Sequence, residues 1–405
     1  MKIIDIETYT VSAGWKNWLF VKVITDSGHY GVAEATINGF IKTTEAAIHE
    51  LKQFAIGSDP FAVTAIANRI IGTIQDAGHI HRMVMGAVEV ACWDILGKSL
   101  GVPIYQLLGG KVRDSILGYA NGWYRAERSP ENFVTAAEIA VGKGFHALKI
   151  DPFGTSRNFL SDKEVHDAYD ILHAIRTRFG ADLKIMIDVH CRLAPAEAVR
   201  VAKQMRDLDL FWWEEPTTAE REHLSNEVAH HSPISVATGE QFDKIGQFFT
   251  LAEGGGISIW QPEPMSLGGI KNTMAVAMIA EANGAWIAPH QSGGPVATAV
   301  CLQLAACVPN FLVQEYFDAF NEDWTRDLVT WTPKINPQNG HLSLPEAPGL
   351  GIDLNLEVIK DHPYDPDAFL NIHQEGWEKR LGQRPDTRGL GSNRTGEGKV
   401  KHAKG

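Results

Sequence analysis

The stretches KIMIDVH at residues 184–190, LFWWEEP at 210–216 and ISVATGE at 234–240 decide the predicted fold of this chain. Each is a short apolar run that closes on an acidic residue, and these residues, Asp188, Glu214 and Glu240, follow one another at intervals of 26. An amphipathic, helix-like stretch lies between each pair of runs. In a barrel of alternating strands and helices, this repeat places all three carboxylates on one rim, where they face one another.

The alternation of strand and helix extends from about residue 115 to about residue 330. Further strands are predicted at SILGYANG, ALKID, ISIWQPE, WIAPH and FLVQEY, with helices between them, for example from Pro195 to Met205 and from Ile270 to Glu281. Several of these helices begin at cap-like residues such as Ser129 and Ser161. Eight buried, apolar strands in this order predict a parallel barrel.

The chain divides into three parts at the sequence level. Residues 1–112 are predicted to form an α+β domain, in which strands at MKIIDIETYTV and WLFVKVITDSGHYGVAEA accompany a turn at Asp26-Ser27-Gly28 and helices follow. Residues 113–330 are predicted to form the barrel that carries the metal-binding and catalytic residues. Residues 331–405 form a C-terminal segment, expected to return to the first domain and to end in a basic, mobile tail.

Bulk composition excludes several classes of function. The 405 residues are 44% apolar and 21% charged, as in an ordinary globular protein, and the net charge of −12 argues against nucleic acid as a partner. No apolar run approaches membrane-spanning length, and the N-terminus lacks the apolar core of a signal peptide. Four cysteines without a paired spacing fit a reduced compartment, so a cytoplasmic protein is expected.

The three carboxylates predict a metal site. A single carboxylate at a strand end is more often a helix cap or an ion-pair member. Three in one small volume repel one another unless a cation neutralises them, and an all-oxygen ligand set suits Mg²⁺. A substrate carboxylate bound to that cation would make the adjacent C–H bond more acidic, and the metal would stabilise the resulting enediolate.

Two histidines are the candidate proton carriers. His290, in APHQSGG, is placed to act as the base, and Glu263, ending the preceding strand, could orient its imidazole. His190 lies two residues after Asp188, so strand alternation predicts that both side chains point into the site. From there, His190 could protonate a leaving hydroxyl.

Other polar residues near the strand ends are candidates for substrate contacts. Lys149 would act as a fixed cation on carboxylate oxygens, and Asp151 on the same face could bond substrate hydroxyls. Glu315 could hold a substrate carboxylate oxygen if it is protonated. In the first domain, Trp15 and His79 lie in predicted loops, where they serve either as a lid over the substrate or as plain surface residues.

The motifs KID, DVH, EEP, TGE, QPE, APHQSGG and QEYF resemble those of the mandelate racemase group in the enolase superfamily. Within it, the likeness is to acid-sugar dehydratases of the galactonate type, and it covers nearly all of the chain except the tail. The resemblance implies a modified TIM barrel, (β/α)7β, with an N-terminal α+β capping domain. It also implies Mg²⁺ on Asp188, Glu214 and Glu240, His290 as a base paired to an acid, and His190 as the general acid.

The motifs depart from that group at two positions. Racemases of the group carry a second catalytic lysine where this chain has Asp151, and the usual QPD motif is here QPE, with Glu263. The first departure disfavours racemisation, because a racemase needs a base on each face of the carbon.

The expected function is Mg²⁺-dependent dehydration of a sugar acid, an aldonate such as galactonate or gluconate, to a 2-keto-3-deoxy acid. An epimerase or cycloisomerase using the same enolate chemistry is the alternative, and a catalytically idle binding or regulatory barrel is a further one. The expected partners are a small sugar-acid substrate and other copies of the chain in a homo-oligomer, with neither nucleic acid nor membrane.

Overall fold

The computed structural model describes residues 1–72, 75 and 77–380 of the chain. The first domain begins with an antiparallel meander of three strands, β1 (Ile3–Ser12), β2 (Asn17–Thr25) and β3 (Tyr30–Glu34). The second predicted strand is thus two strands, because the predicted turn falls inside it. Gly28 in that turn has φ +82°, a backbone conformation that glycine adopts without steric cost.

Helices cover this meander. They are α1 (Ile41–Leu51), α2 (Val63–Gly72), α3 (His79–Leu100) and α4 (Ile104–Leu107). The long helix α3 packs on β2 and β3. It ends at Gly101, whose φ of +71° closes the helix just before Pro103, as the sequence predicts.

The second domain is the predicted parallel barrel. Its strands are β4 (Ser115–Ala120), β5 (Ala147–Ile150), β6 (Lys184–Asp188), β7 (Trp212–Glu214), β8 (Val236–Thr238), β9 (Ile259–Trp260), β10 (Trp286–Ile287) and β11 (Gln314–Tyr316). Its helices are α5 (Pro130–Gly142), α6 (Asp162–Phe179), α7 (Pro195–Gln204), α8 (His223–His231), α9 (Ile245–Gly254), α10 (Ile270–Ala282) and α11 (Pro295–Cys307). Neighbouring strands pair in parallel from β4 to β10, β11 pairs with β4, and the Ile287 to Phe311 bridge closes the ring. The predicted (β/α)7β fold is confirmed.

Several strands are shorter than predicted. Asp188 and Glu214 are the last residues of β6 and β7, but Glu240 lies two residues beyond β8. Glu263 and His290 each lie three residues beyond β9 and β10. The hydrogen-bonded pairing of these strands ends before the polar residues, because the chain has to turn outward toward the next helix. The side chains of Glu240, Glu263 and His290 therefore project from loops.

One layer of eight side chains fills the barrel interior, with one residue in or directly next to each of the eight strands. The two largest aromatic rings of the layer, those of Tyr119 and Trp212, meet edge to face with centroids 5.2 Å apart. The layer consists of Tyr119, Ala147, Met186, Trp212, Ala237, Ile259, Ala288 and Val313. The barrel is therefore a packed core and leaves room for a site only above this layer.

The C-terminal segment adds a hairpin and a strap. β12 (Ile335–Asn336) and β13 (His341–Ser343) form the hairpin, and β13 pairs antiparallel with β4. The chain then passes through α12 (Leu356–Asp361) to the first domain, where the Asn17 amide donates to the carbonyls of Asp365 and Ala368. The predicted basic tail lies outside the described residues. Among the helices that the structure describes, none has the length and apolarity to cross a membrane.

Asp94 joins three parts of the fold, which makes its removal a test of this architecture. Its carboxylate on α3 accepts the backbone N–H groups of Val32 in β3 and Leu350 in the C-terminal segment, at 2.9 and 2.8 Å. We expect Asp94→Ala to lower the free energy of unfolding by about 2–6 kcal/mol, since two buried donors lose their acceptor at about 1–3 kcal/mol each. Urea denaturation measures this. The exposed control Asp182→Ala should change it by less than about 0.5 kcal/mol, and an equal effect of both changes would contradict the assignment.

Candidate active site

The period of two along a strand explains why polar side chains meet above the barrel core. Lys149 lies two residues after Ala147 of the inner layer, and Asp188 lies two residues after Met186. The same offset relates Glu214 to Trp212, His290 to Ala288 and Glu315 to Val313. Successive inward-facing positions therefore form an apolar layer and then a polar layer at the carboxyl end of the strands.

Asp188, Glu214 and Glu240 form one compact group. Each offers a carboxylate oxygen that lies within 4.8 Å of the others. Asp188 and Glu214 are paired directly across β6 and β7, and both are buried. The Trp212 indole N–H fixes Glu214 with a 2.7 Å hydrogen bond, and the Gln241 amide donates to Glu240 at 2.9 Å.

Lys149 is the fixed cation of this group. Its ammonium, 1% exposed, bonds Glu214, lies 2.9 Å from Glu315 Oε1 and lies 3.2 Å from Asp188 Oδ2. Burial alone would lower the pKa of Lys149, but Glu214 and Glu315 outweigh that effect and hold the pKa well above its ordinary value. Lys149 is therefore charged at neutral pH.

One cation is too few for this cluster. The triad and Glu315 carry four negative charges when ionised, and Lys149 offsets one. Burial raises the pKa of Glu214 well above its usual range, and Asp188 adds to this although Lys149 opposes it. Proximity, an all-oxygen donor set and uncompensated negative charge together fit a divalent cation.

His290 and Glu263 form a hydrogen-bonded pair beside the triad. His290 Nδ1 lies 2.8 Å from Glu263 Oε2, and its Nε2 lies 3.4 Å from Glu240 Oε2. Burial lowers the pKa of His290, but the carboxylates of Glu240 and Glu263 outweigh it and raise the pKa to about 10. The structure thus brings together the two residues of the predicted dyad.

His190 reaches the triad by a route other than strand alternation. It lies in a turn after β6 with φ +51°, a left-handed conformation, so the expectation of a continued strand is wrong. Its Nδ1 lies 2.8 Å from Asp151 Oδ2, and its Nε2 lies 3.4 Å from Asp188 Oδ2. Burial lowers the pKa of His190, but Asp188 and Asp151 outweigh it and raise the pKa.

The contacts of Asp151 differ from those expected of a residue that binds substrate hydroxyls. The carboxylate is 0% exposed and bonds His190, the guanidinium of Arg192 and the backbone N–H of Phe153. With its oxygens engaged in this way, Asp151 orients His190. The geometry therefore favours a positioning role over a bond to substrate hydroxyls.

Glu315 also differs from its expected state. Its oxygens accept hydrogen bonds from the Asn121 amide at 2.7 Å and the Gln291 backbone N–H at 2.8 Å, besides the contact with Lys149. Burial raises the pKa of Glu315, but Lys149 and His290 outweigh it and lower the pKa below its usual value. Glu315 is thus an ionised acceptor, and the protonated form expected from the sequence is not favoured.

Two adjoining cavities, of about 200 and 310 Å³, lie over this group. Trp15 lines the first together with Lys149, Asp188 and both histidines. His79 lines the second, beside Glu263 and His290, but it is the first residue of α3 and does not lie in a loop. Both predicted first-domain residues therefore face the cavities.

Sequence reasoning missed part of the cavity wall. Asn121 follows β4, and Lys16 follows Trp15 in the β1–β2 connection. Two more lining residues that the sequence did not indicate, Trp377 and Arg380, lie at the end of the described C-terminal segment. The only signal for the last two is EGWEKR, in which an aromatic residue and basic residues interrupt a polar stretch. That pattern does not say which surface the segment covers.

Comparison with known proteins agrees with this geometry. Residues 4–109 match the family model described as mandelate racemase/muconate lactonizing enzyme, N-terminal domain, and residues 132–358 match the one described as enolase C-terminal domain-like. A D-galactonate dehydratase of Pectobacterium atrosepticum is 31% identical over 89% of this chain and 94% of its own. A D-xylonate dehydratase of Haloferax volcanii is 30% identical over 91% of each chain.

A solved structure supports the same assignment. The mandelate racemase/muconate lactonizing enzyme from Jannaschia sp. CCS1 superposes with a TM-score of 0.83 at 31% identity, over 90% of this chain and 98% of the other. The matches cover both the first domain and the barrel, as the motifs at the strand ends imply. The chain therefore belongs to the mandelate racemase/muconate lactonizing enzyme group of the enolase superfamily.

Proposed function

We propose that this enzyme dehydrates a sugar acid to a 2-keto-3-deoxy acid in a Mg²⁺-dependent reaction. One observation carries the proposal: two histidines, each held by its own carboxylate, reach the cavity beside different members of the acidic triad. Elimination of water needs one group that removes a proton and one that delivers a proton. The relatives named D-galactonate and D-xylonate dehydratase support the same reaction class.

Asp188, Glu214 and Glu240 would hold the Mg²⁺. Bound there, the ion would polarise the substrate carboxylate and stabilise the negative charge of the enediolate. Lys149 adds a fixed positive charge at the same place, because its ammonium lines the cavity and contacts two of the ligands, Asp188 and Glu214. Stabilisation of the enediolate is thus shared between the metal and a residue of the chain.

His290 would take the α-proton. Its Nδ1–H donates to Glu263, which leaves Nε2 as the acceptor on the cavity side. The pKa of about 10 reflects the negative charge of Glu240 beside the ring. Neutralisation of Glu240 by a cation disfavours the protonated imidazole, so that His290 becomes available as a base.

His190 would protonate the departing β-hydroxyl. Its Nδ1–H donates to Asp151, and its raised pKa favours the charged form that a general acid requires. The C–O bond breaks as the hydroxyl leaves as water, and the enol that remains tautomerises to the 2-keto acid. Racemisation has less support, because Asp151 occupies the position of a second lysine and is committed to His190 and Arg192.

Assembly and location remain predictions from the sequence. We expect a homo-oligomer that acts in the cytoplasm on small sugar acids. Among these, the aldonates gluconate and galactonate are the first to assay.

Mg²⁺ binding at the triad can be measured apart from turnover. We expect 5–10 mM Mg²⁺ to raise the melting temperature of the wild-type protein, since a ligand that binds only the folded state stabilises it at about 2.7 kcal/mol for a hundredfold excess over Kd. Glu240→Gln should abolish this shift, whereas the exposed control Glu227→Gln should retain it. A shift that persists in Glu240→Gln would place the ion elsewhere.

The base can be identified by replacing His290. We expect His290→Asn to lower 2-keto acid formation by about 10²–10⁴-fold, the usual contribution of a general base, and to abolish exchange of the substrate α-proton in D₂O. A semicarbazide assay and proton NMR on a panel of aldonates measure the two. His166→Asn, on the exposed face of α6, is the matched control. Full activity and full exchange in His290→Asn would refute the assignment.

The acid should have a different signature. We expect His190→Asn to lower 2-keto acid formation by about 10²-fold or more while α-proton exchange continues, because His290 still removes the proton. The two readouts are compared on the same substrate. Equal loss of dehydration and exchange would show that His190 acts before or during proton abstraction, contrary to the proposal.

A further inference from the structure

Two buried cations line the first cavity and take no part in the proposed reaction. Lys16 is 3% exposed and Arg380 is 7% exposed, and both share that cavity with Lys149, His190 and His290. One comes from the β1–β2 connection and the other from the C-terminal segment. Two separate parts of the chain thus bring positive charge to one wall.

Neither cation has a counter-ion among the residues that the structure describes. Lys16 donates to the carbonyl oxygen of Ser292, which is neutral. The Nε and Nη1 atoms of Arg380 are buried and have no hydrogen-bond partner within the described ranges. Since a buried charge without a partner is strongly unfavourable, an anion from outside the chain would complete this wall.

Groups that surround the two cations do not remove that need. The Trp15 ring lies 4.6 Å from Lys16 Nζ and 4.7 Å from Arg380 Cζ, and Phe317 lies 4.7 Å from Arg380 Cζ. Such contacts orient a cation but do not neutralise it. Burial lowers the pKa of Lys16 to about 8 and that of Arg380 to about 10, which is the direction expected of uncompensated cations.

Glu34 is the carboxylate that most raises the pKa of Lys16, but its oxygens are already engaged. Its oxygens accept the backbone N–H groups of Gly294 and Ala297 and the Thr36 hydroxyl at 2.6, 3.0 and 2.6 Å. Glu34 thereby caps the first turn of α11 and joins the first domain to the barrel. It does not occupy the donors that Lys16 and Arg380 present to the cavity.

We propose that Lys16 and Arg380 form a subsite for a second anionic group of the substrate, distinct from the carboxylate that reacts. This inference rests on the proposed function, in which the first carboxylate lies at the triad and Lys149. The preferred substrate would then be a sugar acid with a negative group at each end, such as an aldarate or an aldonate phosphate. An aldonate with one carboxylate would leave both cations unpaired.

Matched pairs of substrates test the subsite. Formation of 2-keto acid by the full-length enzyme with Mg²⁺ is measured on two pairs of substrates, gluconate with glucarate and galactonate with galactarate. A third comparison, of gluconate with 6-phosphogluconate, tests a phosphate as the second anionic group. We expect kcat/KM for the best dianion to exceed that of its matched monoanion at least tenfold. Preference for glucarate or galactarate identifies a carboxylate as the second anionic group, and preference for 6-phosphogluconate identifies a phosphate. Equal or better use of the monoanions would overturn the proposal.

Variants connect the preference to the two residues. Arg380→Gln and Lys16→Gln should each lower the dianion-to-monoanion ratio of kcat/KM at least tenfold, and the exposed control Lys203→Gln should keep it. Two independent variants guard against one that fails to fold, and melting temperatures identify such a case. A ratio unchanged in both folded variants would contradict the subsite.

A binding measurement separates this proposal from the proposed function. If no sugar acid yields a keto acid, dehydration is wrong, and thermal shifts with glucarate and gluconate at equal concentration decide the subsite. Greater stabilisation by glucarate that disappears in Arg380→Gln supports it. Equal stabilisation by the two acids overturns it.

Discussion

The crowding of negative charge around Lys149 is the constraint on which the rest of the site depends. Four carboxylates converge at the carboxyl end of the barrel, and this single buried ammonium leaves three negative charges uncompensated when all are ionised. A divalent cation leaves one. Because burial makes each unpaired charge costly, the cluster is stable as a group of anions only with such an ion. The same negative charge raises the pKa of His290, because the carboxylate of Glu240 lies beside its ring.

The barrel produces this convergence from a simple pattern. At five of the eight strands, a residue of the inner apolar layer is followed two positions later by an ionisable residue of the site, so much of the core and of the site follows from the same alternation. Beyond the strand ends, loop backbone positions further side chains of the site. The left-handed backbone of His190 and the short extensions that carry Glu263 and His290 bring three more groups to the cavity. Their carboxylate partners then fix each imidazole.

The sequence was sufficient for the fold class and for the groups that follow strand periodicity. Asp188, Glu214 and Lys149 could be placed because equal spacing and alternation are local properties. The turn at His190, the ionised state of Glu315 and the engagement of Asp151 depend on contacts between distant strands and loops. Arg380 could not be placed at all, since a polar C-terminal segment carries no periodic signal for the surface it covers.

The central claim is that Asp188, Glu214 and Glu240 bind one divalent ion. Anomalous diffraction from crystals grown with Mn²⁺, which takes the same oxygen ligands as Mg²⁺, tests it most directly. The account predicts a single strong peak within about 2.0–2.3 Å of an oxygen from each of the three carboxylates, close to the distances of such ions. A peak elsewhere in the barrel, or none at saturating Mn²⁺, would contradict it.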